Sequence, residues 1–529
     1  MAVASAPAPA AQPADPTRWW TLFAVCLATL MLLLDVTVVN VALPSIGADL
    51  DSSFSDLQWV VDAYALGLAA LLLTWGGIAD QVGRKRVFVG GLIGFTIASV
   101  LCAASMSPLM LNLARGLQGF AGAAMFATAL ALLASTFHGQ ERGTAIGLWG
   151  ATTGGAVAIG PVVGGILIEI SSWHWIFLVN VPIGIIALAI TLKTVREAKN
   201  PAGRGIDVPG ALTFSLGLFV GIFAIVRGNA EGWGSPLIVG AFVATAVLLI
   251  AFFMVQRRSP KAMFDLTLFR NRSFVGACLA AFAMSAGMFS LFLYITLWLQ
   301  NGLGLTALEA GLRVLPLTLL SFVIAPFSGR LSARVSPGLL IGVGLTAVGV
   351  GVLMLRAVDG QSDWTAMLPG FILIGIGIGV TNPPLATTAV GVVDVRRAGM
   401  ASGINNTFRQ VGTAVGTAAF GAAMAALVEH NVRSAATEIA RSSGQPVGPL
   451  PDGEALTQGA PALVQALPGG QQTFLDAYTA SLDVIFLVAG ILALVSAATC
   501  ALLIRKADLD AAAAITDAQL AETAAAAPA

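Results

Sequence analysis

Charge is scarce in this chain. Asp, Glu, Lys and Arg make up 10% of its 529 residues, and 27 acids balance 27 bases to a formal net charge of zero. A nucleic-acid role requires a basic surface, which this balance does not supply. So few charges beside 57% hydrophobic residues and a mean hydropathy of +0.87 also exclude a soluble multidomain protein. Cys26, Cys102, Cys278 and Cys500 contain no CxxC pair or metal-ligand spacing, and each falls in an apolar stretch, as packing residues do. His138 and His430 are expected in loops with no cluster around them. No GxxxxGK[ST] loop, nucleophile-base set or metal cluster is legible, so neither an ATP-driven pump nor an enzyme is expected, and no cofactor. The Ala/Pro-rich leader lacks a basic n-region, and the apolar segment behind it exceeds a signal-peptide h-region, so a retained span is expected.

Long apolar runs, by contrast, are abundant. A bilayer core of about 30 Å needs about 20 mostly apolar helical residues per crossing. Fourteen segments meet that length: 19–43, 57–79, 87–105, 108–135, 143–167, 174–193, 207–226, 236–256, 273–299, 308–329, 338–355, 364–387, 399–428 and 480–504. They are too long and too rarely alternating for outer-membrane strands. An all-α integral membrane bundle follows. Lys and Arg accumulate on cytoplasmic loops, and an inside N-terminus puts twenty of the 27 there, including Arg84-Lys85-Arg86 and Arg505-Lys506, so both termini are expected in the cytoplasm. Trp19 and Trp20 at the inner side, with Trp59, Trp173, Trp298 and Trp364 near outer span ends, fit interfacial aromatic belts.

The sequence also repeats. Gly76-Gly77-Ile78-Ala79-Asp80-Gln81-Val82-Gly83-Arg84-Lys85-Arg86 follows the second span, and a degraded echo, Gly329-Arg330-Leu331-Ser332-Ala333-Arg334, follows the tenth. Gly143, Gly147 and Gly160 in the fifth span align with Gly399, Gly403 and Gly416 in the thirteenth, at a constant offset of 256 residues. Two similar halves are implied, as in secondary transporters, whose substrate site lies near the midplane between repeats. The expected division is a disordered N-tail (1–18), a six-helix bundle (19–194), a linker with two extra spans (195–272), a second six-helix bundle (273–506) containing an outer loop at 429–478, and a disordered C-tail (507–529).

With these motifs in order, the chain resembles the major facilitator superfamily, in its fourteen-span drug:proton antiporter branch of the QacA and EmrB type. The 76–86 loop resembles the superfamily's cytoplasmic signature, with Gln81 where a basic residue is usual. Leu113-Ala114-Arg115-Gly116-Leu117-Gln118-Gly119 resembles its intramembrane arginine motif, and Gly160-Pro161-Val162-Val163-Gly164-Gly165 its antiporter motif. The stretch from Leu34-Asp35 to Pro44, and Trp173-His174-Trp175 through Asn180-Val181-Pro182-Ile183-Gly184, are similar to branch signatures, with His174 replacing the usual arginine. The resemblance implies export of lipophilic, cationic drugs from a bacterial cytoplasmic membrane, driven by a proton gradient. It also implies conformational roles for Gly76, Asp80, Gly83, Arg84, Gly160, Pro161, Gly164 and Gly165. Exporting an endogenous metabolite, antibiotic, siderophore or lipid would suit the same fold; a non-transporting sensor is the remoter alternative. The expected partners are small molecules, protons and the bilayer, with a monomer as the working unit.

Each candidate also has a plainer reading. Asp35 is the only acid in the first span, and an acid at the bilayer centre costs about 2.5–3.5 kcal/mol on insertion scales, so such residues face protein or water and mark ion or substrate paths. It lies eight residues from the outer end of its span, about 12 Å deep at 1.5 Å per residue, and Arg115 about 10 Å deep. The two are expected to meet, either as a structural pair or as a proton site, with Asp62 as a third member of a relay cluster. Asp80 at a span end suits the positive N-terminus of a neighbouring helix; Arg84 can be a simple positive-inside anchor. The fifth-span glycines fit close helix packing, and Pro161 predicts a bend at Gly160. Glu309 reads as a capping box with Thr306 plus an ion pair with Arg313. Asn405, Asn406, Arg409 and Gln410 form two i, i+4 pairs that could line a cavity, as could Phe282, Met284 and Met288.

Overall fold

The computed structural model describes residues 17–52, 54–137, 139–198, 207–259, 266–332, 334–393, 397–443, 456–457 and 470–510, and among them every regular element is helical. The first half holds α1 (Arg18–Asp49), α2 (Phe54–Val82), α3 (Arg84–Ala103), α4 (Pro108–Thr136), α5 (Gly139–Ile170), the single turn α6 (Trp175–Leu178) and α7 (Asn180–Thr194). A hairpin follows, α8 (Val208–Glu231) and α9 (Pro236–Arg258). The remainder is α10 (Arg272–Met284), α11 (Ser290–Leu297), α12 (Ala307–Leu331), α13 (Pro337–Met354), α14 (Leu368–Gly391), α15 (Ala398–Ser443) and α16 (Gly470–Leu503).

Local chemistry starts these helices. Ser107 accepts from the Met110 N–H and Ser235 from the Ile238 N–H, each followed by a proline at a position whose N–H would have no helical partner. Asp207 caps α8 through the Gly210 N–H, and Thr306 and Glu309 close the expected capping box on α12. Among the described residues thirteen helical stretches are long and apolar enough to cross a membrane, and α5, 32 residues long, occupies the place of the fifth expected span. Burial ranks them: 89% of the apolar window of α4 is buried but 11% of that of α9, so α4 is central and α9 peripheral. Exposed apolar side chains such as Leu113, Val243 and Val247 cover the outside, as a lipid-facing surface requires.

Helix α4 packs on α2 and α3, and α1 on α5 and α7; in the second half α14 packs on α12 and α13, and α16 on α13 and α15. The two sets meet along α5·α12 and α2·α15, and α8 lies against the second of these seams.

Several expectations need correction. The ninth span is interrupted by π turns at Ser285–Phe289 and Trp298–Gly302 instead of running as one α-helix. The loop expected at 429–478 is helical at both ends, because α15 continues to Ser443 and α16 begins at Gly470. Glu429–Arg433 and Glu438–Arg441 pairs stabilise that extension, and Val432 and Ala436 keep an apolar face buried, so the charges that end an apolar window do not end the helix. The start of the C-tail docks: Asp508 accepts from Ser273 Oγ at 2.6 Å. Residues 1–16, 444–455, 458–469 and 511–529 of the expected tails and loop lie outside the described residues. Trp173 and Trp298 are buried to 3% and 1%, inside the bundle and not in an interfacial belt, and the Trp173 indole donates to Asp49. Arg313 donates to the Glu309 backbone carbonyl and lies over Trp364; no ion pair with the Glu309 carboxylate forms.

Candidate functional site

Asp35 and Arg115 meet. Arg115 Nη1 donates to Asp35 Oδ2 at 2.5 Å, and both side chains are sealed from solvent. Gln118 Nε2 and Asn180 Nδ2 each donate to Asp35 Oδ1 at 2.8 Å, so the carboxylate accepts three N–H groups from α4 and α7. Ser99 Oγ accepts from Gln118 at 2.9 Å, and Gln118 Oε1 accepts from Arg115 at 2.7 Å. Arg115 Nε donates to the Val60 carbonyl, and the guanidinium lies 4.3 Å above the centre of the Tyr64 ring. Four helices and α7 thus converge on one ion pair. Removing one partner of such a buried pair costs about 3–5 kcal/mol, because the other charge stays behind without compensation. Asn180, Gln118 and Ser99 were not singled out as site residues from sequence. Gln118, one turn along from Arg115, was the available signal for a polar partner; Ser99 gave none.

Asp62 is not part of this cluster. Val60 and Asp62 are two residues apart on α2, and residues so spaced point to different sides of a helix. The charge acting on Asp62 is Arg227 of α8, whose guanidinium also lies 5.8 Å from the centre of the Trp59 ring.

The sequence echoes fall on the two seams. At one seam, Gly143 of α5 and Gly329 of α12 touch so closely that a Cβ on either would strike the other's carbonyl. At the other, a Cβ on Gly76 of α2 would lie 2.6 Å from the Gly399 carbonyl of α15. Gly147 and Gly403 repeat the pattern one turn further, against the Ala325 and Leu72 carbonyls. Gly143 corresponds to Gly399 at the 256-residue offset, and Gly76 to Gly329 in the echo of the 76–86 loop, so the residues that resemble one another between halves are those that join them. The second seam has an addition: Asp80 Oδ1 accepts from the Gly399 N–H at 3.2 Å and Oδ2 from the Met400 N–H at 2.9 Å, while Arg84 Nε donates to Oδ1 at 2.9 Å. A carboxylate thus sits on the first turn of α15, where the helix dipole favours it. Gly83, at φ +123°, makes the turn into α3, and Glu197 fills the space beside it by accepting from the Lys85 and Arg86 N–H groups.

In α5, Gly160 lies against the Thr37 side chain and Gly164 against Val38 of α1. Gly165 differs: nothing lies within 4 Å of its would-be Cβ, so it is no packing contact. Pro161 lies within α5, but the bend expected there falls outside what is described. In α15 the four polar residues divide. Asn405 donates to the Ala277 carbonyl of α10, tying two helices, whereas Arg409 reaches toward Asn382 of α14 at 3.5 Å; Gln410 is half-buried. Met284 and Met288 line a small apolar cavity with Phe292, Leu317, Ser321 and Ile378; Phe282 instead packs on Gly412.

This geometry agrees with comparison to known proteins. The chain is 37% identical to the puromycin resistance protein pur8 of Streptomyces alboniger, over 81% of this chain and 87% of that one. It is 35% identical to the multidrug resistance protein Stp of Mycobacterium tuberculosis, over 78% and 76%. It is 33% identical to the tetracenomycin C resistance and export protein of Streptomyces glaucescens, over 93% and 92%. Among solved structures, the proton:xylose symporter XylE shares the fold at a TM-score of 0.60 and 12% identity, over 91% of this chain and 94% of that one. The sequence profile of the Major Facilitator Superfamily matches residues 25–417, and the chain belongs to that superfamily.

Proposed function

We propose that this protein is a proton-coupled antiporter exporting lipophilic antibiotics or other toxic compounds across a bacterial cytoplasmic membrane. Relatives named for resistance and export support the direction of transport. The observation that carries the coupling is Asp35, a carboxylate enclosed in an apolar bundle and held there by Arg115, Gln118 and Asn180. A proton added to Asp35 removes the charge that holds Arg115, and the guanidinium must then find another partner. Such a change of partner supplies two discrete arrangements of α1, α4 and α7. The halves, 19–194 and 273–506, rock about the glycine seams, and Asp80 on α15 latches one of the two states. The proton gradient is the energy source, and a monomer suffices.

Cells producing the protein should hold less of a fluorescent lipophilic dye than cells without it, and a protonophore should erase the difference. A difference that survives the protonophore removes proton coupling from the proposal, and no difference with any dye removes export. The cytoplasmic placement of both termini has its own check at Ser442, exposed near the end of α15. Ser442→Cys should react with a membrane-impermeant maleimide added outside intact cells; reaction only after lysis would invert the topology.

A further inference from the structure

We propose that Arg409 receives an acidic group of the exported compound, so that the site favours cargo carrying a carboxylate or similar anionic oxygen over its neutral or cationic counterpart. This deepens the export reading and rests on it. Arg409 is 9% exposed and sits eleven residues into α15. Its Nη1 has one long contact, 3.5 Å to Asn382 Oδ1, and its buried Nε has no partner. Among the described residues no carboxylate pairs with it, whereas Arg115 has Asp35 and Arg84 has Asp80. Burying a charge without a counter-charge is costly, and a site keeps such a group cheaply only when the opposite charge arrives with a ligand.

Other polar groups nearby on α15 are also buried without partners. Asn406, three residues before Arg409 and therefore on a neighbouring part of the same face, buries its Nδ2 without a partner. Two unused donors three residues apart, one of them charged, are complementary to an anion, and Asn405 Oδ1 is an unused acceptor that could take a proton-bearing group of the same ligand. Asp35, a buried acid of the first half, is already committed to three N–H donors. A small apolar cavity, lined by residues other than Arg409, lies one turn further along α14 and α5. Ile378, in its lining, is one turn from Asn382 on α14, and Gly154, also in its lining, is one turn from Gly150, which faces Asn382. Met284 and Met288 give it an adaptable wall. An anion with an apolar body would place its acid on Arg409 and turn its apolar part toward this methionine wall.

The test uses the full-length protein in detergent and in proteoliposomes, with three fluorescent probes on one polycyclic frame: a carboxylate, its methyl ester and a trimethylammonium analogue. In equilibrium binding the carboxylate should bind at least about tenfold tighter than the ester, about 1.4 kcal/mol. Arg409→Gln should abolish that preference while leaving ester affinity within about twofold, which also shows the variant is folded, and Arg409→Lys should retain part of it. Equal affinity for acid and ester, equal loss of both in Arg409→Gln, or tighter binding of the ammonium probe would overturn the assignment. Accumulation in proteoliposomes under an imposed proton gradient reads export separately. Selective carboxylate binding without accumulation sinks the export reading alone, whereas accumulation of the ammonium probe without carboxylate binding sinks the anion site alone.

Discussion

Asp35→Asn should eliminate protonophore-sensitive dye efflux and lower the melting temperature of the purified protein. All three groups facing the carboxylate are donors, Arg115 Nη1, Gln118 Nε2 and Asn180 Nδ2. An asparagine has one oxygen to offer, and its amide nitrogen would meet a donor in either orientation. The loss of the counter-charge to a buried arginine costs about 3–5 kcal/mol, a large fraction of ordinary protein stability. Lost transport by itself would therefore be ambiguous between coupling and folding. Adding Arg115→Gln separates them. With no uncompensated charge left, the double variant should recover stability by more than the roughly 0.5 kcal/mol expected of independent sites, yet remain unable to export. Thermal unfolding and efflux measured on the same preparations give both readouts. If Asp35→Asn reaches the membrane and exports at the wild-type rate, Asp35 is a structural partner of Arg115 and carries no proton for transport.

How much of this was legible in the sequence depends on the range of each interaction. Spans are set by the bilayer, an environment uniform along the chain, so the apolar windows locate nearly every helix. The Asp35–Arg115 meeting could be anticipated because depth follows from residue count, and two charges at one depth in an apolar bundle seek each other. Depth does not fix azimuth. Asp62 lies at a similar level but on another side of α2, and nothing local to it announces Arg227 more than 160 residues away. Asn180 and Ser99 are ordinary polar residues until α3 and α7 bring them to the same carboxylate. Trp173 and Trp298 occupy span ends as belt residues do, yet tertiary packing turns their indoles inward. The π turn at Ser285–Phe289 and the extension of α15 beyond 428 show a second limit: hydropathy reports where lipid is, not how a backbone winds or where a helix stops.

Gly329→Val should abolish export while leaving the protein folded. Gly329 and Gly143 face each other across the α5·α12 seam, each carbonyl in the place that the other's Cβ would occupy. A flexible side chain could turn aside, but a helical carbonyl cannot, so the added methyl groups must be accommodated by moving one helix. Overpacking of this kind costs typically about 1–3 kcal/mol. The two helices belong to different halves of the repeat, so separation at the seam relieves that strain without unfolding either half. The variant should therefore show near-normal abundance and melting, with dye efflux at background. A cysteine at Ser332, whose hydroxyl lies 3.7 Å from the would-be Gly143 Cβ, should react faster with a maleimide once the seam has parted. Gly165→Ala is the matched control, since its methyl group meets nothing within 4 Å and should change stability by no more than about 0.5 kcal/mol with efflux intact. The opposite seam makes the comparison sharper: Gly76·Gly399 carries the same close approach, but Asp80 hydrogen-bonded to the first turn of α15 holds it together as well. At α5·α12 the polar tie is a single long one, Arg330 Nε to Thr144 Oγ1 at 3.4 Å, with no carboxylate in it, so Gly329→Val should open its seam further than Gly76→Val opens the other. Wild-type efflux by Gly329→Val would mean that the two halves never need this contact closed during the transport cycle.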